Sequence, residues 1–264
     1  ATRVLLGGVA DRPFLLSSLS GMTFSSRIRY LIQQATGFDV RHFDLMNAPI
    51  ARRMKLLDHI GATLVFDVGA NEGQYAQQLR RYGYKGRIVS FEPLALEFAI
   101  VSEKARGDTH WEGVNSTLGS EPGTATIHIG NFRQCSSLLE LVPSYAPRDK
   151  ASQQIADETI TVDTLDRIAP TYVRDDDVVF LKADVQGFEM QVIEGAAQTM
   201  PHVAGFQLEM SFEPVYAGAP VFTELVRHME SMGYTLRSFE PANCSPSGGL
   251  IQADGVFIRT DIPL

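Results

Sequence analysis

The chain has 264 residues, of which 44% are hydrophobic and 20% charged, with a formal net charge of -8 and a pI near 5.3. This composition suits a folded protein with a sizeable core, and it lacks the basic excess that nucleic acid or an anionic membrane surface selects. Two cysteines, Cys135 and Cys244, are too few for a disulfide scaffold or a cysteine-built zinc site. No apolar run approaches the ~18 residues of a membrane span. Asp11, Arg12 and Pro13 interrupt the mildly apolar opening, a poor match to a secretory signal, so a cytoplasmic location is expected.

Residues 1–60 show no strand alternation and read as a helical extension, part of which covers a substrate cleft; the main domain is expected over 61–264. In "SSRIRYLIQQATG", Ile28, Leu31, Ile32 and Ala35 lie at helical spacing, with Ser25 or Ser26 as N-cap and Gly37 as the stop. "APIARRMKLLDHIG" repeats the pattern, with Pro49 at its start and Gly61 beyond its end.

From Thr63 onward strand and helix periods alternate. Strands are predicted over 63–69, 86–92, 109–115, 123–129, 158–162, 178–185, 205–210, 234–240 and 250–259, and helices over 72–83, 94–106, 187–199 and 220–232. The runs "LVFDV", "RIVSF", "VVFLKADV" and "GFQLEM" are nearly continuous in apolar residues, as in strands covered on both faces. The alternation predicts a doubly wound, mostly parallel α/β sheet, closed by an antiparallel pair because no helix separates the last two strands. Residues 131–157 read as a long loop or lid. "RDDD" at 174–177 reads as a solvated turn.

The stretch "FDVGANEG" (66–73) is a strand, a glycine turn and a helix start. Its glycines do not have the G-x-G-x-x-G spacing of a dinucleotide site, nor does it match a phosphate loop. Asp67 and Glu72 make the turn acidic, which opposes a phosphate and favours a cation. S-adenosylmethionine, with a sulfonium, an ammonium and no phosphate, meets that requirement. In this reading Asp67 faces the ammonium, Gly69 and Gly73 let the backbone approach, and Asn71 reaches the carboxylate. Glu92, which closes the next strand 19 positions after Gly73, is placed to accept the ribose hydroxyls. Asn115 and Ser116, ending a third strand, are candidates for the adenine edge. Helix capping and turn formation explain the same residues without a ligand.

These segments, with "GVNSTLGSEPGTATIHI" (113–129), "ITVDTLD" (160–166) and "LKADVQGFEMQVIEGA" (181–196), resemble in order the FkbM-type family of S-adenosylmethionine-dependent methyltransferases. The resemblance covers about residues 60–260. It implies a class I methyltransferase fold, Rossmann-like with seven strands, and O-methylation of a sugar hydroxyl (glycolipid, glycoside or polysaccharide) or of a polyketide-type small molecule. The chain departs from the family at Gln186, where Glu is common.

Methyl transfer to an alcohol needs an aligned oxygen and a proton acceptor. Asp184, at the end of a central strand, is the first candidate, with Lys182 on the same strand face. His128, just before the 131–157 loop, is a second candidate base. Asp184 and Glu209 together offer two carboxylates to Mg²⁺. Glu189 and Glu209 are secondary candidates, Glu189 lying in the first turn of a helix, where the macrodipole favours acids anyway. The expected partner is a small-molecule or glycan acceptor, with no nucleic acid; a homodimer is left open. The competing readings are a nicotinamide oxidoreductase, opposed by the glycine spacing and the acidic turn, and a non-catalytic binding module on a methyltransferase-like fold.

Overall fold

The computed structural model describes Gly21, residues 23–145 and residues 150–263. The chain divides into two compact units, 1–48 and 49–264. In the first, helix α1 (Phe24–Thr36) is capped by Thr23, whose side chain accepts from the Ser26 amide, and ends on left-handed Gly37. The cap therefore precedes the serines expected for it. Helix α2 (Pro49–His59) opens the second unit, so the boundary lies a helix earlier than the expected 60/61. The reason is burial: Leu57 and Ile60 belong to the same core as Val65 and Phe180.

The second unit is built on a seven-stranded sheet of order β3-β2-β1-β7-β8-β10-β9. Its strands are β1 (Leu64–Val68), β2 (Arg87–Phe91), β3 (Trp111–Val114), β7 (Val179–Ala183), β8 (Val203–Ser211), β9 (Tyr234–Cys244) and β10 (Leu250–Arg259). β1 pairs in parallel with both β2 and β7, whereas β10 runs antiparallel to β8 and β9. Helices α3 (Gln74–Arg81), α4 (Ala95–Ala105), α5 (Leu165–Tyr172), α6 (Glu189–Glu194) and α7 (Phe222–Ser231) lie along the connections. The doubly wound sheet with an antiparallel pair is as expected. Both β1 and β7 are buried at every residue, which explains their apolar runs.

Alternation sends Leu64, Phe66 and Val68 into one core and Val65 into the other. Asp67 shares the Val65 face, inside the molecule rather than at its rim. The chain switches direction across the sheet between β1 and β7, where open α/β sheets form their ligand crevice.

A second sheet, of order β4-β6-β5, was not expected as a separate layer. It comprises β4 (Thr117–Leu118), β5 (Gly123–Gly130) and β6 (Gln154–Asp163), so the predicted strand at 158–162 is the end of a longer one. The described part of the predicted lid, 131–145 and 150–153, includes a 3-10 turn at Arg133–Cys135 and a β-bridge between Leu141 and Tyr216. Asp177 of the "RDDD" turn is buried, bonded to Arg87, Thr63 and the Arg174 amide. It is an anchor rather than a solvated acid. Among the described residues no helix is long and apolar enough to cross a membrane.

One buried ion pair ties α2 to β9: Arg53 Nη2 donates to Glu240 Oε2 at 2.6 Å, with both side chains over 90% covered. Arg53→Met is expected to cost about 3–5 kcal/mol, because it strands a buried carboxylate. Adding Glu240→Leu should recover most of that loss. Urea denaturation of the single and double variants measures both effects.

Candidate active site

The crevice at the carboxyl ends of β1 and β7 begins with a polar row crossing an otherwise apolar sheet. Ser90, Asp67, Lys182 and Gln207 are register partners on β2, β1, β7 and β8. Ser90 Oγ donates to Asp67 Oδ2 at 3.0 Å and accepts from Trp111 Nε1 at 3.0 Å. Lys182 Nζ lies 3.2 Å from Asp67 Oδ1 and donates to the carbonyls of Val68 (3.2 Å) and Gly69 (2.8 Å). Burial alone would lower the Lys182 pKa, but Asp67 and then Asp184 outweigh it and hold it above the ordinary lysine value. The ammonium therefore pins the turn that leaves β1. Asp67 is fully buried and paired with Lys182, so the residue expected at the cofactor ammonium lies beneath the turn.

The turn satisfies its own amides. Gly69 and Ala70 donate to the Phe91 carbonyl, Asn71 to Glu92 Oε2, Glu72 to Asn71 Oδ1, and Gly73 to the Ala70 carbonyl. All five N–H groups are thus engaged, and the turn offers no nest to a pyrophosphate. Gly69 has φ +74, and a Cβ there would lie 1.9 Å from the Asp184 carbonyl oxygen. Close approach of the β7 exit, together with the left-handed backbone, demands this glycine. A Cβ on Gly73 would meet the Trp111 ring at 2.8 Å, so close packing requires a glycine there.

Two adjoining hollows share Gly69, Asn71, Asp184 and Gln186. The larger, about 570 Å³, is lined by Tyr75 and Gln74 from α3, by Glu209 and Asp254, and by Gln134 and Ser152 from the loop expected to act as a lid. Its cations, Arg53 and Lys182, are both in ion pairs. The smaller is lined by Glu92, Pro93, Leu94, Thr117 and Arg133. Arg133 is itself paired with Glu97, Nη2 to Oε2 at 2.9 Å.

Glu92 accepts the Asn71 amide on one oxygen (2.8 Å) and the Leu94 amide on the other (2.9 Å), which leaves each oxygen a second lone pair. Burial pushes its pKa up to about 7. Asn115 and Ser116 line neither hollow. Asn115 Nδ2 donates to the carbonyls of Glu92 and Pro93, and Ser116 Oγ donates to those of Thr117 and Thr161. Through these bonds the two residues expected at the adenine edge tie down the backbone around residues 92–93 and 117.

Asp184 is the accessible carboxylate, with its side chain 40% exposed and Oδ2 3.9 Å from Lys182 Nζ. It opens a turn in which Gln186 has φ +53 and Gly187 φ +98. Glu189 holds that turn by accepting the Val185 and Gly187 amides at 3.1 and 3.2 Å. Gln186 Nε2 donates to Asp184 Oδ1 (3.0 Å) and Glu209 Oε2 (2.8 Å), while Gln252 donates to the same Glu209 oxygen (2.9 Å). Burial, then Asp184 and Glu189, push Glu209 well above the usual carboxylate range; burial, then Asp184, raise Asp254 to about 6.

The Mg²⁺ expected between Asp184 and Glu209 finds an amide N–H already bridging them. Among the described residues no group of three or more His, Cys, Asp or Glu is arranged to hold a metal. His128 does not join Asp184 either: it lies on β5, facing a separate cavity. The residues that the sequence did not single out are Gln186 as a bridge and Tyr216 behind it, while Glu189, a secondary candidate, clamps two amides. Gln186 had been noted only as a departure from a family pattern.

A seven-stranded, mostly parallel sheet with an antiparallel end and a crevice at its switch point is the class I methyltransferase fold. The chain belongs to the FkbM family of S-adenosylmethionine-dependent methyltransferases: the model described as "Methyltransferase FkbM domain" matches residues 67–236. A comparison with curated proteins gives no match. Among solved structures, the FkbM methyltransferase of Methylobacillus flagellatus is 16% identical with a TM-score of 0.45, over 74% of this chain and 43% of that one. The chain thus spans less than half of that relative. An rRNA methylase from Streptococcus thermophilus is 11% identical with a TM-score of 0.44, covering 81% and 97% of the two chains. For the magnesium protoporphyrin IX methyltransferase of Synechocystis the values are 8%, 0.44, 91% and 99%.

Lys182→Met should leave Asp67 as an uncompensated buried charge and cost about 3–5 kcal/mol in chemical denaturation. Asp67→Asn in the same chain should recover part of that loss, since a neutral amide is less costly to bury.

Proposed function

We propose that the protein is an S-adenosylmethionine-dependent O-methyltransferase whose acceptor is the hydroxyl of a glycosylated or polyketide-type small molecule. The observation that carries this reading is the glycine turn with every amide engaged, opening onto Asp184, Glu209 and Asp254. Such a crevice suits a ligand with two positive centres and no phosphate. A nicotinamide dinucleotide would bring a pyrophosphate to a turn without free N–H donors.

The residues present fit the cofactor. Glu92 has the spare lone pairs for the ribose hydroxyls. Asn71 Nδ2 has no partner among the described residues and can donate to a carboxylate. The carboxylates of the larger hollow favour the ammonium. When bound, S-adenosylmethionine supplies an electrophilic methyl group on its sulfonium sulfur.

The chain's own share of the chemistry is alignment and proton removal. Asp184 stands at the strand end common to both hollows, with Oδ1 held by Gln186 and Oδ2 toward Lys182. In this reading it accepts the acceptor's hydroxyl proton as the oxygen lone pair forms the new C–O bond. Gln186, Lys182 and Glu189 are positioning residues: they fix the carboxylate and its turn. The alternative O-methylation base, His128, is not in this crevice.

Asp184→Asn should lower turnover by ~10²-fold or more, with cofactor affinity changed less than about threefold, measured by labelled methyl transfer and calorimetry. Unchanged turnover would remove Asp184 from the mechanism. A raised Glu92 pKa also has a sign. Ribose hydroxyls donate to the ionised carboxylate, so cofactor binding should strengthen as pH rises through about 7 and release a proton. The unliganded fold runs the other way: the cost of burying ionised Glu92 is full above pH 7 and fades as pH falls toward its unfolded value. Glu92→Gln should flatten its contribution to both trends.

A further inference from the structure

A second cavity, of about 530 Å³, lies beside the cofactor crevice and shares Cys135 and Ser152 with it. Its wall on the small sheet carries His128. His128 on β5 and Asp157 on β6 are register partners, and His128 Nδ1 lies 2.7 Å from Asp157 Oδ1. A carboxylate only accepts, so the ring proton between them belongs to Nδ1, and in the neutral imidazole Nε2 keeps its lone pair. Nε2 has no protein partner among the described residues. Gln154 Nε2 also donates to Asp157 Oδ1, at 2.6 Å, which steadies the pair.

Tyr216 also lines the cavity; it is buried, and its hydroxyl donates to Gln186 Oε1 at 2.7 Å. Gln186 holds Asp184 through the other end of the same amide. One side chain therefore connects this cavity to the transfer point. Ser137, whose backbone pairs with that of His128, fixes the partition by donating its hydroxyl to the Gln186 carbonyl at 2.7 Å.

We propose that this cavity is the acceptor subsite and that it holds a neutral, polyhydroxylated ring. This rests on the methyltransferase reading and extends it to the substrate. The lining mixes hydrogen-bonding side chains with the apolar faces of Leu139 and Leu141, the pairing that a sugar's hydroxyls and C–H face require. No lysine or arginine lines the cavity among the described residues, and its one carboxylate is Glu140. Phosphate recognition depends on such cations, so a nucleotide or RNA acceptor is disfavoured. His128 Nε2 accepts a hydrogen bond from a ring hydroxyl. It serves as a specificity-determining residue, in place of the base role expected from its position before the loop.

The test is saturation-transfer difference NMR with methyl β-D-glucopyranoside as probe, run with and without S-adenosylhomocysteine, whose own binding is followed by calorimetry. Wild-type protein should transfer saturation to the sugar ring protons and not to adenosine monophosphate in the presence of S-adenosylhomocysteine. His128→Ala and Tyr216→Phe should each weaken the sugar interaction about five- to tenfold. His128→Gln, which retains an acceptor, should lose less; a purely structural role would not produce that order. S-adenosylhomocysteine affinity should be the same in wild type and both His128 variants, and circular dichroism checks the fold of all three variants. Equal sugar signals in wild type and variants would overturn the proposal, as would transfer to the nucleotide in place of the sugar. Failure to bind S-adenosylhomocysteine, with His128-dependent sugar contact intact, would overturn the cofactor reading and support the subsite.

Discussion

The structure depends on one buried charge pair. Asp67 and Lys182 face each other across β1 and β7, the two strands at which the sheet changes direction. Removing two charges from water costs several kcal/mol per ion, and an isolated pair seldom repays it. Here the ammonium also takes two carbonyls of the strand exit, and the carboxylate takes the Ser90 hydroxyl. The pair thereby converts an electrostatic cost into a fixed position for Gly69. Gly69 in turn lies against the Asp184 carbonyl, so the two strand exits that form the crevice are locked to one another.

What this frame presents is a separation of carboxylates by role. Asp67 is sealed inside and neutralised. Glu189 is turned onto backbone amides. Glu209 and Asp254 are pushed upward in pKa by burial and by Asp184, while Asp184 remains reachable from solvent. Gln186 makes the separation work: its neutral amide stands between Asp184 and Glu209 where a third acid would add repulsion. Its left-handed backbone is of the strained kind that accumulates at functional turns. The same amide reaches Tyr216, so the crevice and the second cavity are mechanically one structure.

The frame was legible from local pattern: long apolar runs alternating with amphipathic segments gave the doubly wound sheet and its antiparallel end. The polar row was not, because Asp67, Ser90, Lys182 and Gln207 are single interruptions in four separate runs, and only strand register brings them together. Asp67 was read as a ligand contact for that reason; its position at a strand end was visible, its face was not. That Glu92 and Asp184 directly follow strands was legible because a strand end is a matter of sequence. Strands were expected at 123–129 and 158–162, but local pattern does not show that they pair with each other apart from the main sheet, and the start of β6 lay within what read as a loop. Helix α5 escaped because Pro170 breaks its pattern.

A crevice made for a cationic methyl donor should reject diphosphates, and calorimetric titration of the intact protein with S-adenosylmethionine and, separately, with NAD⁺ distinguishes the two ligands. Saturable S-adenosylmethionine binding and no heat from NAD⁺ are expected. Saturable NAD⁺ binding with no response to S-adenosylmethionine would contradict this reading of the crevice.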